Sequence, residues 1–145
     1  MKSNNKLKIF LIAAIFVLAA AGAVFAFYMS GVAAYQNKVK NTVISGVNIS
    51  QIPDGVYIGE YDVSYIYAKV EVTVKSGEIT GISILEHRND RGESAERIID
   101  EIIERQEIDV DAVSGATNSS TVIKKAVENA VNQGSPLRYL SRYTR

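Results

Sequence analysis

From Ile9 to Met29 the chain carries no charge, and nearly every residue is apolar: I-F-L-I-A-A-I-F-V-L-A-A-A-G-A-V-F-A-F-Y-M. No other feature restricts the fold as tightly. A run of 21 residues is about the length a helix needs to cross a hydrocarbon core. Residues 1–8 hold three lysines and no acid, which predicts an N-terminus that stays in the cytoplasm. Tyr28 stands at the far end, where interfacial aromatics gather. Ala21-Gly22-Ala23 and Val24-Phe25-Ala26 look like small-residue cleavage sites. The apolar region of a signal peptide spans about 7–15 residues, however, and this run is longer. A retained anchor is expected at 9–29. Either reading places everything after Ser30 outside the cytoplasmic membrane.

The rest of the 145-residue chain has room for one domain. The 16 basic and 16 acidic residues of the whole chain cancel, so no net charge pulls it toward nucleic acid. Cysteine is absent, which excludes disulfides, thiolate metal sites and lipid attachment through sulfur. His87 is the one histidine, a poor start for a zinc site. There is no P-loop, no G-x-G-x-x-G and no Ser/His/Asp set.

Residues 30–52 read as a juxtamembrane linker, in part a continuation of the helix. Pro53-Asp54-Gly55 is a turn signal, and Val56 to Asp62 a strand with Tyr57 and Tyr61 on one side. Tyr65 to Lys75 alternates strictly. Ile66, Ala68, Val70, Val72 and Val74 lie on one face, with polar residues and tyrosines on the other. Ser76-Gly77 predicts a tight hairpin, with Glu78 to Glu86 as the partner strand. Ile82 and Ile84 point inward there, and Leu85 falls out of phase, which marks a twist or bulge that Gly81 permits. Ala95, Ile98, Ile99, Ile102 and Ile103 form the apolar stripe of a helix. Its acidic other face reads as solvated surface. Val122, Ile123, Ala126, Val127, Ala130 and Val131 stripe a second helix. The expected fold class is α+β: an antiparallel sheet of roughly three or more strands packed by two helices, preceded by the single transmembrane helix. The tail from Gly134 to Arg145 is basic, with three arginines and no acid after Pro136. It is a solvated end or a docking strip for headgroups or a partner.

Ahead of the second helix stands Asp111-Ala112-Val113-Ser114-Gly115-Ala116-Thr117-Asn118-Ser119-Ser120. Asn118 or Ser119 is expected to cap the helix near Ser119. Just before it, unpaired N–H groups and the helix dipole favour an anion, most plausibly a phosphate. Gly115 permits a sharp turn, and Ser114 and Thr117 supply hydroxyls.

D-A-V-S-G-A-T followed by N-S-S resembles the flavinylation motif of the FMN-binding domain family. That family includes the C subunit of the sodium-pumping NADH:quinone reductase and the G subunit of the Rnf complex. The upstream D-G-V-Y-I-G-E-Y and K-V-E-V-T-V-K-S-G-E-I-T-G-I-S-I-L-E-H also resemble it, so the likeness covers Pro53 to about Gln133. Two departures are visible. Asp62-Val63-Ser64-Tyr65 stands where many members have a glycine-rich bend, and Arg88-Asn89-Asp90-Arg91-Gly92 where many have a threonine-proline-glycine run.

The resemblance implies FMN joined through its phosphate to Thr117 by a dedicated flavin transferase. Asp111, Ser114, Gly115 and Ala116 complete the signature, and His87 is a candidate to lie near the flavin ring. Tyr57, Tyr61, Tyr65 and Tyr67 are possible stacking partners or ordinary sheet residues. The implied role is electron transfer to partner proteins at the outer face of the membrane, as a carrier rather than an enzyme with its own substrate. The alternative is a membrane-anchored module that binds FMN or a partner non-covalently. The expected organisation is a cytoplasmic N-terminus at 1–8, the transmembrane helix at 9–29, a linker at 30–52, the FMN-binding domain at 53–133 and the basic tail at 134–145.

Overall fold

The computed structural model describes residues 5–89 and 92–135. Lys2 of the basic flank, Asp90 and Arg91, and the arginine tail from Pro136 onward lie outside the described residues. The chain divides into two compact units, one up to Gln36 and one from Asn37 onward.

The first unit is helical. Helix α1 spans Asn5–Lys40, so the expected span at 9–29 lies within a longer rod, about 54 Å at 1.5 Å per residue. Its mean hydropathy reaches 2.8, and large apolar side chains stand outward on every side, Phe16, Leu18 and Phe27 among them. A helix apolar all round is the pattern of a membrane span. Among the described residues, it is the one helix long and apolar enough for that.

The second unit is built on a three-stranded antiparallel sheet of order β1-β2-β3. Its strands are β1 at Gly55–Asp62, β2 at Tyr67–Lys75 and β3 at Glu78–Arg88. The alternation in β2 holds: Ala68, Val70, Val72 and Val74 are buried. At the β2–β3 turn, Ser76 and Gly77 both have positive φ, 55° and 79°. This is the backbone of a two-residue hairpin loop whose twist suits the strands. Asp54 Oδ1 accepts the Ser76 N–H at 2.7 Å, so the opening turn braces the hairpin.

β3 slips register twice against β2, near Thr80 and at Leu85. Leu85 is therefore the bulge its phase predicted. The second slip matters for the site. Val70 faces Ile84, but Ala68 faces His87. The extra residue reverses the inside-outside phase, and the histidine lands on the core side of the sheet.

Two helices complete the unit. A 3-10 turn at Glu93–Arg97 leads into α2, Ile98–Arg105, which buries Ala95, Ile98 and Ile102. At its C-terminus Gln106 adopts a left-handed conformation with φ 53°. Its amide pairs with both backbone groups of Ile79, accepting at 2.7 Å and donating at 2.8 Å.

Helix α3, Thr117–Val131, crosses β1 and β2. All six residues of its apolar stripe are fully buried, and each of the larger ones contributes about 1.5–3 kcal/mol of burial. Gly59 makes the close approach possible. A Cβ there would stand 2.2 Å from the Ala126 carbonyl oxygen and 2.3 Å from the Ala130 nitrogen. Tyr57 and Tyr61 flank that crossing. Tyr57 donates its hydroxyl to the Pro53 carbonyl, and Tyr61 shares a hydrogen bond with Thr42.

The outer edge of β1 is covered by side chains. Gln133, Asn129 and Lys38 donate to the carbonyls of Ile58, Glu60 and Asp62. Alternate carbonyls of an edge strand point the same way, and here three in succession meet a donor. Residues 37–52 thus pack as part of the second unit, with Val39, Ile49 and Ile52 buried.

Candidate functional site

The ten residues from Asp111 to Ser120 form a turn and the first turn of α3. The N-cap is Ala116, which makes no side-chain capping bond, and the helix starts at Thr117. This corrects the expectation of a cap at Asn118 or Ser119 and a helix beginning near Ser119. The physical reason is packing. Ser119 and Ser120 are buried, at 2% and 0% exposure, because the first turn is wedged between neighbours. Ser119 lies against Gly92, whose Cβ would fall 1.9 Å from its Oγ. Ser120 Oγ accepts the Val113 N–H at 3.0 Å. Both hydroxyls serve packing and loop bracing rather than capping.

The loop closes on itself before the helix begins. Ala116 N–H donates to the Val113 carbonyl at 2.9 Å, and Ser120 N–H to the Ala116 carbonyl at 2.9 Å. Gly115 sits at the tip with φ 79°, and a Cβ there would meet no atom within 4 Å. Asp111, Ser114, Gly115 and Thr117 are exposed, and Ala116 is buried beneath them.

Helical geometry gives the N–H groups of Thr117, Asn118 and Ser119 no intrahelical acceptor. No acid stands in the first turn. About half a unit of positive charge is therefore left open beside an exposed threonine hydroxyl. A phosphate ester at Thr117 fits this arrangement: the tip is uncrowded, the hydroxyl is exposed, and no side chain among the described residues takes the first-turn N–H groups. Beside the loop, Val113 joins Arg97, Arg105 and the acidic residues of α2 in lining a shallow hollow of about 430 Å³.

His87 is enclosed, its side chain 1% exposed. Nδ1 lies 2.9 Å from Glu96 Oε1, and Nε2 is buried without a hydrogen-bond partner among the described residues. A carboxylate can only accept, so Nδ1–H is the donor in this contact. Asn89 stands alongside as a second donor facing the same ring nitrogen, which makes it a neighbour of the His87–Glu96 pair and not a member of it. Its Nδ2 is 3.3 Å from His87 Nδ1, and its Oδ1 accepts the Gly92 N–H at 2.7 Å. Gly92 in turn abuts Ser119, so the end of β3 reaches the first turn of α3 through one short loop.

Four residues of this network were not visible as such in the sequence: Glu96, Asn89, Gly92 and Lys124. Glu96 belonged to a face that looked solvated. Lys124 is 8% exposed, its Nζ donating to Asp109 Oδ1 and the Val110 carbonyl, each at 2.8 Å. Its place on the buried side of α3, four residues after Ser120, was the one available signal. Tyr57, Tyr61 and Tyr67 are engaged in the sheet, whereas Tyr65, expected to open the second strand, is exposed in the bend before it. Tyr67 donates to Glu60 Oε2 at 2.8 Å and lies under Arg88, 5.5 Å from ring centre to guanidinium carbon.

Residues 67–132 match the family model of the FMN-binding domain. The match opens on β2 and closes one residue beyond α3, so it takes in His87, the loop and Thr117. The chain carries an FMN-binding domain. FMN binding is the activity that such a domain supports, and a flavin-binding carrier is the role it suggests. No curated protein gives a significant match to the chain.

Proposed function

We propose that this FMN-binding domain holds FMN covalently, as a phosphoester on Thr117, and serves as an electron carrier anchored by α1 at the outer face of a membrane. The observation that carries the reading is the position of Thr117: an exposed hydroxyl on the first residue of a helix whose N-cap has no side-chain bond. FMN, when bound, supplies one- and two-electron redox chemistry that no side chain of this protein can.

The residues divide the remaining work. Thr117 Oγ is the attachment point. It gives up its proton and forms the ester bond to phosphorus, while the phosphoanhydride of a flavin dinucleotide donor breaks and a nucleoside monophosphate leaves, under a flavin transferase. The first-turn N–H groups of α3 stabilise the ester's negative charge. Gly115 and Ser114 let the transferase and the nucleotide approach, Ala116 seats the loop, and Asp111 belongs to the recognised segment. His87 lies enclosed on the core side of the sheet, paired with Glu96 and next to the segment that leads to Gly92 and Ser119. Tethering also explains how an open site can suffice: a linked cofactor has a high local concentration whatever its affinity. Redox partners then meet an accessible carrier.

The test is coexpression of the full chain with a flavin transferase. Wild-type protein should gain the mass of FMN less one water and fluoresce after denaturing electrophoresis. Thr117→Ala should gain neither, and gain of that mass by Thr117→Ala would sink the proposal. Yellow colour released on denaturation would point to non-covalent binding instead.

A further inference from the structure

Resting on that reading, we infer that Lys124, acting with Ser120, is a positioning residue: it clamps residues 109–113 along α3 and so fixes where the Thr117 hydroxyl is presented. Ser120 and Lys124 are four residues apart, hence on one face of the helix. Both side chains reach the same incoming segment. Lys124 Nζ holds the Asp109 carboxylate and the Val110 carbonyl, and Ser120 Oγ holds the Val113 N–H. The chain then has three residues, Ser114 to Ala116, in which to turn and enter the helix at Thr117.

An amine buried this deeply is costly unless it is paired. Lys124 is paired, and both partners precede the acceptor loop. Asp109 is itself 58% exposed at its side chain, so the carboxylate does not need the lysine for its own solvation. The benefit of the contact falls on the backbone: a loop with a glycine at its tip is held at its upstream end by two bonds to the helix that carries Thr117. Neither residue touches the hydroxyl. Their effect is on its orientation, and reacting groups are sensitive to displacements of about 1 Å.

The experiment compares full-length wild type, Lys124→Met, Lys124→Arg and Ser120→Ala, each coexpressed with the transferase. Covalent flavin fluorescence per folded protein is followed over time. Amide hydrogen exchange is read at Val113, with Val72 in the sheet as the internal control. Lys124→Met should lower the rate of flavin gain by about tenfold or more, the scale that misplacement costs. It should also speed exchange at Val113 while Val72 stays slow. Lys124→Arg, which keeps a charged donor, should restore part of both. Ser120→Ala supplies the same comparison if Lys124→Met fails to fold.

Wild-type flavin gain in a folded variant overturns the inference, whatever happens to exchange. So does slowed gain with unchanged Val113 protection. If the wild-type chain gains no covalent flavin, the proposed function fails. The clamp is then judged on exchange alone: unchanged Val113 protection in Lys124→Met would refute it as well.

Discussion

Glu128 and Ser45 lie 83 residues apart in sequence and are joined by a 2.8 Å hydrogen bond, the Ser45 N–H donating to Glu128 Oε1. The other carboxylate oxygen receives Lys125, whose Nζ also donates to the Val43 carbonyl. A glutamate only 1% exposed thus holds the segment that follows α1 against α3. Glu128→Ala should destabilise the domain by about 1–3 kcal/mol, because it leaves the Ser45 N–H and the part-buried Lys125 amine without their acceptor. Urea unfolding would measure that loss. Limited proteolysis should show new cleavage between Asn41 and Asn48, and Glu128→Gln should fall between the two proteins.

Three glycines should separate three kinds of cost. At Gly59 the obstacle is α3 backbone, which has no rotamer to yield, so Gly59→Ala should cost about 3 kcal/mol or more. Gly92→Ala meets the Ser119 side chain, and Ser119→Gly in the same protein should recover part of the loss. Gly115→Ala has open space but the wrong φ, a penalty of about 1–2 kcal/mol. Thermal melts of the three variants would rank them in the order 59, 92, 115, and reversal of the first and last would contradict the packing described.

The Tyr67 phenol is pushed up to about 12, first by its hydrogen bond to Glu60, then by burial and the charges of Glu60, Glu86 and Asp62. The folded chain therefore keeps this proton to higher pH than the unfolded chain, whose tyrosines titrate near 10. The resulting stabilisation is complete below about pH 10 and disappears as pH rises through about 12. Tyrosinate absorbance should show a late-titrating group that is missing in Tyr67→Phe. In Glu60→Gln that group should titrate earlier; no change there would dissociate it from Glu60.

His87 should prove replaceable at modest cost. Its Nε2 has no partner among the described residues, and Glu96, 42% exposed at its side chain, can turn to water. His87→Phe should then lie within about 1 kcal/mol of wild type, since exchanging an unsatisfied polar group for an apolar one is nearly neutral. Glu96→Ala should cost more, about 1–3 kcal/mol, by stripping the ring's better partner. Paired denaturation curves decide the order.

The strands were legible because one side of the sheet is buried. Ile66 to Val74 repeats every second residue, and Leu85 broke the repeat where the backbone bulges. What the bulge does to His87 was not legible, since the inward phase depends on counting an unpaired residue. The helix stripes were legible for the same reason as the strands. The helix start was missed because hydroxyl residues suit both caps and tight packing, and only the presence of Gly92 and Val113 across the gap decides between them. Lys124 and Glu128 look like surface residues by type. Their partners, Asp109, Val110 and Ser45, come from loops whose approach no local pattern encodes.

The covering of the outer carbonyls of β1 by Gln133, Asn129 and Lys38 limits how copies of this chain can associate. A ribbon of molecules joined sheet to sheet needs two receptive borders, one to give and one to receive. With the carbonyls of Ile58, Glu60 and Asp62 already taken, a second copy must displace three side chains before its strand can pair along β1. Crowding the chain within a plane therefore meets resistance at that border before an open-ended fibre can grow by that route.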